Sequence, residues 1–332
     1  MTIKKPYLLF IGDAQDTLSI KLAKGVADWR PEMAIGELAL TGCQVTTGLP
    51  KLSLHEADKQ GAKTLVLGFT NSGGVIDDAW IPTILDAIAM GMDVASGLHQ
   101  RLDSKPQILE AAKKYGVQLI DVRHPNQSFD TGKGIKRTGN RILTVGSDCS
   151  VGKMYTALAL EKAMKSKGYQ AEFKATGQCG IFIAGDGVAI DCVVSDFISG
   201  AVESISPNVQ ADQWHIIEGQ GSLFHPSFAG VSLGLLHGAQ PDALVLCHTE
   251  QRDHMRGVPD FALPHLAEVM ALNLQHARLT NPNAKFIGMS VNTSMLSKLE
   301  ADKVCKAYQQ QFLLPCVDPL RHGVDALLDQ LT

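Results

Sequence analysis

The sequence predicts an α/β protein made of two successive parallel-sheet domains, residues 1–138 and 139–332. Three observations predict it. Short apolar runs alternate with helical patterns in both halves, as in strands paired in parallel and covered on both faces. A polar, turn-rich stretch from His124 to Asn140 separates the halves and reads as a linker. Directly after it, the apolar run Arg141–Val145 meets a Gly-rich turn, a lysine and a helical segment, the arrangement of a phosphate-binding loop.

In the first half the candidate strands are Tyr7–Ile11, Ala34–Leu38, Thr64–Gly68, Met92–Ala95 and Val117–Val122, with helical patterns over Thr17–Ala27, Ile81–Met90 and Lys105–Tyr115. This alternation predicts a Rossmann-like parallel sheet, whose sites lie past the carboxyl ends of the strands. The residues there are Gly12-Asp13, Gly68 to Gly74, Ser96-Gly97-Leu98-His99 and Arg123-His124. Glycines and small polar residues after several strands suit a pocket floor where backbone approaches a ligand, with His99 a candidate substrate-binding residue. The same composition also serves ordinary loops. No G-x-G-x-x-G follows the first strand, which argues against a nicotinamide dinucleotide.

In the second half the candidate strands are Arg141–Val145, Ala171–Lys174, Trp214–Glu218, Ala243–Cys247, Lys285–Val291 and Leu313–Val317, with helices over Lys153–Lys167, Phe261–Ala277 and Lys298–Gln311. The loop after the first of these strands reads Gly146-Ser-Asp-Cys-Ser-Val-Gly-Lys-Met154. In G-x-x-x-x-G-K-[ST] the glycines set the turn, the lysine reaches phosphate oxygens and the final hydroxyl holds Mg²⁺. Gly146, Ser147, Ser150, Gly152 and Lys153 are therefore the candidate cofactor-binding residues, but Met154 stands at the hydroxyl position. A thioether is a poor ligand for a hard cation. Thr156 does not replace it, because two residues along a helix turn a side chain roughly 200° away. The loop keeps its anion cradle and loses its metal ligand. That favours holding a phosphate over transferring one, and no metal is expected. Cys149, near a helix N-terminus where thiol pKa values fall, has no histidine beside it in sequence to make it a nucleophile.

Four further segments carry candidate chemistry. Trp214–Glu218 ends in an acid before a Gly-rich turn, and Glu218 suits a general base or an acceptor for an amine. A buried carboxylate facing the loop lysine is also a common structural pair. Thr176-Gly-Gln178-Cys-Gly180 supplies backbone N–H groups and one amide, suited to a carboxylate or phosphate. His248 to Pro259 is a polar cluster in which Arg252 and Arg256 stand four apart. In a helical turn both guanidinium forks would share one face and suit a dicarboxylate. Asp253 and His254 beside them are candidates for proton transfer, and a solvated charged loop is the plain alternative. Asn292 and the Cys316–Arg321 segment are placed to edge an adenine ring, and Asn292 reads equally as a turn residue.

The whole-chain properties bound the function. Lys plus Arg total 30 and Asp plus Glu 34, a balance that argues against nucleic-acid binding through bulk charge. The seven cysteines contain no C-x-x-C pair, which predicts reduced thiols in a cytoplasmic protein rather than disulfides or zinc. The first apolar run is too short for a signal peptide, and no stretch approaches 18 uninterrupted apolar residues, so no membrane is expected as a partner. A homo-oligomer is expected.

The loop aligns position by position with that of dethiobiotin synthetase, Gly-Thr-Asp-Thr-Gly-Val-Gly-Lys-Thr, and Ile217-Glu-Gly-Gln-Gly-Ser222 resembles the Val-Glu-Gly-Ala-Gly-Gly turn of the same enzymes. This resemblance implies a P-loop NTPase-like parallel sheet for the second domain. It departs at Ser150 and Met154. The whole chain resembles the DgcN family in the altered loop, in Ser96-Gly-Leu-His99, Thr176-Gly-Gln-Cys-Gly180 and Glu218-Gly-Gln-Gly-Ser222, and in His248, Arg252 and Arg256. That resemblance implies N-acetylation of D-glutamate with acetyl-CoA as co-substrate. Coenzyme A carries phosphates that a metal-free cradle can anchor. The rival readings are an ATP- and Mg²⁺-dependent ligase or kinase related to dethiobiotin synthetase, and a non-catalytic nucleotide-binding regulator.

Overall fold

Every residue of the first strand, Tyr7–Gly12 (β1), is buried, as a strand covered on both faces requires. The computed structural model describes residues 3–125, 127–250 and 252–331. From β1 the chain continues through Lys21–Trp29 (α1), Ala34–Ala39 (β2), Leu54–Lys59 (α2), Thr64–Leu67 (β3), Ile81–Ala89 (α3), Asp93–Ser96 (β4), Pro106–Tyr115 (α4) and Leu119–Asp121 (β5). The five strands form a parallel sheet in the order β2-β1-β3-β4-β5. Helix α2, which the sequence reading passed over, is closed by a capping box in which Ser53 and Glu56 satisfy each other's backbone N–H groups. Phe10, Phe69 and Trp80 lock one end of the core, with Phe69 and Trp80 ring centroids 4.0 Å apart and Phe10 edge-on to both.

The second sheet starts at Asn140–Gly146 (β6), followed by Lys153–Ser166 (α5) and Ala171–Lys174 (β7). The chain then forms Gln178–Ala184 (α6), Ile198–Ile205 (α7), Trp214–Ile217 (β8), Ala229–Ala239 (α8), Ala243–Thr249 (β9), His254–Met255 (β10), Val258–Ala262 (β11), Leu266–Thr280 (α9), Lys285–Asn292 (β12), Lys298–Phe312 (α10), Cys316–Val317 (β13) and Asp325–Leu328 (α11). Six strands are parallel in the order β13-β12-β9-β6-β8-β7, while β10 and β11 make a separate antiparallel hairpin. Helices α7 and α8 escaped the sequence reading because they are glycine-interrupted. The glycines are there for packing: a Cβ on Gly238 would lie 2.4 Å from the carbonyl oxygen of Ser199, so only glycine lets the two helices approach this closely.

The chain divides into two compact units, 1–127 with 177–192 and 128–176 with 193–332. The second therefore begins at Ser128, ahead of the expected division at 138, and α6 belongs to the first, where it packs on α1. Residues 128–140, which read as a linker, are fastened to the second unit. Arg137 donates to the carbonyls of Ser206 (2.6 Å) and Gly238 (2.7 Å), and Glu203 accepts the Lys133 and Gly134 N–H groups. Phe261, expected to open a helix, lies in β11, and α9 starts only at Leu266. No helix is long and apolar enough to cross a membrane among the described residues.

In the first unit Asp121 at the end of β5 is 8% exposed, and both carboxylate oxygens accept the Leu102 N–H at 3.1 Å. Burial dominates and pushes its pKa up to about 6. The native state thus holds this proton more tightly than the unfolded chain. The stability that follows is full below about pH 4 and is lost as the pH rises through about 6, a difference of at most about 3 kcal/mol. Asp121→Asn keeps an acceptor for Leu102 and removes the charge. Its Tm relative to wild type should therefore rise by several degrees between pH 4 and pH 7. A difference in Tm that is flat across that range would refute a buried, ionised Asp121.

Candidate active site

Strand order decides what meets the loop. β6 lies between β9 and β8, and its last residue, Gly146, pairs with Cys247 of β9. The loop after β6, Glu218 after β8 and His248 near the end of β9 thus arrive at one carboxyl edge, where the strand order reverses. Within the loop Ser150 (φ 53°) and Gly152 (φ 94°) take left-handed conformations that turn the chain into the N-terminus of α5. The Ser147 N–H donates to the Cys247 carbonyl at 3.1 Å, and its hydroxyl lies 2.8 Å from His248 Nδ1. Lys153 Nζ donates to the Asp148 carbonyl at 2.8 Å, bridging the loop from inside. Burial holds the Lys153 pKa below its ordinary value, against the pull of Cys149, Cys247, Asp148 and Glu218.

Glu218 is 4% exposed, and its Oε2 accepts the Thr176 N–H at 3.0 Å. Thr176 Oγ1 donates back to the Glu218 carbonyl at 2.6 Å. The next residue has to be glycine, because a Cβ on Gly219 would fall 1.7 Å from the Thr144 carbonyl oxygen. Ser222 closes this turn on the loop, its hydroxyl donating to the Ser147 carbonyl at 3.1 Å.

The Arg252–Arg256 segment corrects the sequence reading. It is not a helical turn: Arg252 precedes β10, and Arg256 sits in the tight turn between β10 and β11. The two forks are therefore not a matched pair. Arg252 Nη1 donates to Asp148 Oδ2 at 2.6 Å and to the Cys149 carbonyl at 2.8 Å, so its fork serves the loop. The Arg256 N–H donates to the same Asp148 oxygen at 2.9 Å, while its guanidinium makes no hydrogen bond or ion pair among the described residues. Asp253 and His254 are exposed on the hairpin. Asn292 ends β12, and its Oδ1 accepts the Ser294 N–H at 3.0 Å, the bond of a turn residue. Gln178 opens α6 in the first unit and has Oε1 beside Gly97. His99, in the same turn, is exposed and abuts Gly74. Burial is the main cause that lowers the His99 pKa, helped by Arg123.

Sequence reasoning missed Asp148 and His225. Ligand atoms of Asp148, Cys149 and His225 lie within 4.8 Å of one another, the one such potential metal-holding group among the described residues. Hydrogen bonds already engage the Asp148 carboxylate and both His225 ring nitrogens. His225 Nδ1 accepts the Ser227 N–H at 3.2 Å, so Nε2 carries the proton given to the Arg256 carbonyl at 3.0 Å. Burial pushes the Cys149 thiol up, outweighing Lys153, Arg256 and Arg252, which pull it down; the helix N-terminus does not make it an ionised thiol. His225 follows the Glu218–Ser222 turn by three residues, and that proximity was the available clue. Arg252→Ala should loosen the loop and weaken inorganic pyrophosphate binding about tenfold by titration calorimetry, about 1.4 kcal/mol. Unchanged affinity would show that the hairpin does not support the cradle.

Comparison with known proteins follows the same division. Residues 38–125 match the Rossmann-like domain DUF1611_N, and residues 128–328 match the P-loop domain DUF1611_C, both described as domains of unknown function. The chain is 57% identical over 331 residues to a protein of Pseudoalteromonas sp named D-glutamate N-acetyltransferase, covering 100% of both chains. It is 48% identical to a protein of that name from Tritonibacter scottomollicae, over 99% of both. The crystal structure of a DUF1611 family protein from Anabaena variabilis superposes with a TM-score of 0.86 at 29% identity, covering 99% of each chain. The two domain matches and the full-length likeness agree, and the chain belongs to the DUF1611 family.

Proposed function

We propose that this chain is a D-glutamate N-acetyltransferase with acetyl-CoA as its donor. The observation that carries the reading is the end-to-end likeness to two proteins bearing that enzyme name. The site supports it. A cradle with Lys153 inside it and Met154 where a metal-binding hydroxyl would stand suits a phosphate that is held and not cleaved. Coenzyme A offers such phosphates.

Acetyl transfer joins the amine nitrogen of D-glutamate to the thioester carbonyl carbon. The nitrogen loses a proton, the carbon–sulfur bond breaks and the coenzyme A thiolate leaves and is protonated. We assign the amine proton to Glu218, a buried carboxylate oriented by Thr176, in preference to Asp253 and His254, which are exposed. Arg256, whose fork makes no bond among the described residues, takes a substrate carboxylate. Arg252 acts on D-glutamate only through the loop it braces. The backbone N–H groups at the start of α5 and the Lys153 ammonium anchor the donor phosphates.

Purified protein given acetyl-CoA and D-glutamate should release thiol in the presence of EDTA and without ATP. Failure to release thiol with every acidic amino acid tried would overturn the reading, and Mg²⁺-dependent ADP formation would favour a ligase. Glu218→Gln should lower kcat by about a hundredfold or more with little change in KM. Arg256→Ala should raise the KM for D-glutamate about tenfold or more, and an unchanged KM would remove Arg256 from the substrate site.

A further inference from the structure

A second cavity shares two walls with the phosphate loop. It measures about 460 Å³ and lies between the end of β9, the exit of the hairpin, the start of α9 and the last turns of α10. His248 and Arg252 form the side towards the loop, where they hold Ser147 and Asp148 respectively. Tyr308 and Phe312, one helical turn apart on α10, line the opposite side with ring centroids 6.2 Å apart and planes 34° from each other. His248 stands edge-on to the Tyr308 ring at 6.0 Å. Leu266 adds an apolar surface at the N-terminus of α9, and Gln311 brings one side-chain amide.

The volume is that of a small-molecule site. The walls combine aromatic faces, an apolar surface, one amide that can both donate and accept, a guanidinium and the positive end of a 15-residue helix. That combination fits a flat heteroaromatic base carried on an anionic sugar. It fits a flexible aliphatic amide chain less well, because such a chain gains little from ring faces or from a cation. Position points the same way. A ligand whose pyrophosphate rests in the Gly146–Lys153 loop reaches this cavity through Arg252 and His248, each of which already touches the loop. Burial, with the Glu250 carboxylate adding to it, keeps the Tyr308 phenol neutral well above its ordinary titration range.

We propose that this cavity binds the adenosine 3′-phosphate end of the acyl donor, with the base against Tyr308 and Phe312 and the 3′-phosphate towards Arg252 and the N-terminus of α9. The inference rests on the reading that coenzyme A is the carrier, and it moves the base away from the Asn292 edge. It implies that the pantetheine arm and its thioester leave the loop in another direction.

Two measurements on the full chain test it. In the first, adenosine 3′,5′-bisphosphate is titrated calorimetrically into wild type, Tyr308→Ala and Gln311→Ala. We expect wild-type binding that weakens about tenfold in Tyr308→Ala and about threefold in Gln311→Ala. Gln311→Ala guards against the chance that loss of the Tyr308 ring disturbs folding, which Tm reports. In the second, acetyl-CoA and S-acetylpantetheine are compared as donors to D-glutamate. The KM for acetyl-CoA should rise in both variants, while that for S-acetylpantetheine, which lacks the adenosine, moves less than twofold. No binding of the bisphosphate to wild type, equal binding to all three proteins, or a parallel rise for both donors overturns the inference. Failure of the acetyl-transfer reading shows separately, as no thiol release from either donor, and the titration still reports on the cavity.

Discussion

The site depends on one buried carboxylate. Asp148 has no exposed surface and accepts from three directions: the Arg252 guanidinium, the Arg256 N–H and the Cys149 N–H. Burying a charge is costly, and the cost is offset only when the lone pairs are satisfied by well-aligned donors. Here the donors come from two separate segments, so satisfying the charge sets their relative geometry. The loop cannot move independently of the hairpin without stranding either a carboxylate or a guanidinium. Arg252 therefore reads as a brace, with its Nη1 committed to the loop.

The same constraint bears on how the loop is shaped. In a standard phosphate loop a bound Mg²⁺ helps to organise the phosphates and the hydroxyl that follows the lysine. This chain places Met154 there and holds the loop instead through Ser147 to His248, Ser222 to the Ser147 carbonyl, and Lys153 to the Asp148 carbonyl. These bonds are all internal to the protein. The cradle is thus organised by side chains of this chain.

Much of this was legible in the sequence, for identifiable reasons. Strands buried on both faces are largely apolar runs, and β1, β6 and β9 were readable within two residues. The loop was readable because Gly152-Lys153 follows a strand and opens a helix. Helices α7 and α8 were not, because glycines that permit close packing look like turn residues when their partner is unseen. Arg252 and Arg256 were misread because a spacing of four suggests one helical face, whereas Gly257 (φ 81°) lets the chain turn back as a hairpin. Asp148 and His225, 77 positions apart, are joined only by the sheet order. No local pattern reports a contact of that kind.

The excursion of residues 177–192 has a bearing on biosynthesis. The ribosome delivers all five strands of the first sheet long before it delivers α6, and β6, α5 and β7 are made in between. Until α6 arrives, Leu22, Ala23 and Val26 on the buried side of α1 lack the Ile181–Phe182–Ile183 segment of their own unit. The amino-terminal unit is thus complete only when more than half the polypeptide has been made. A gene fragment cut at the apparent linker would encode the first unit without its α6.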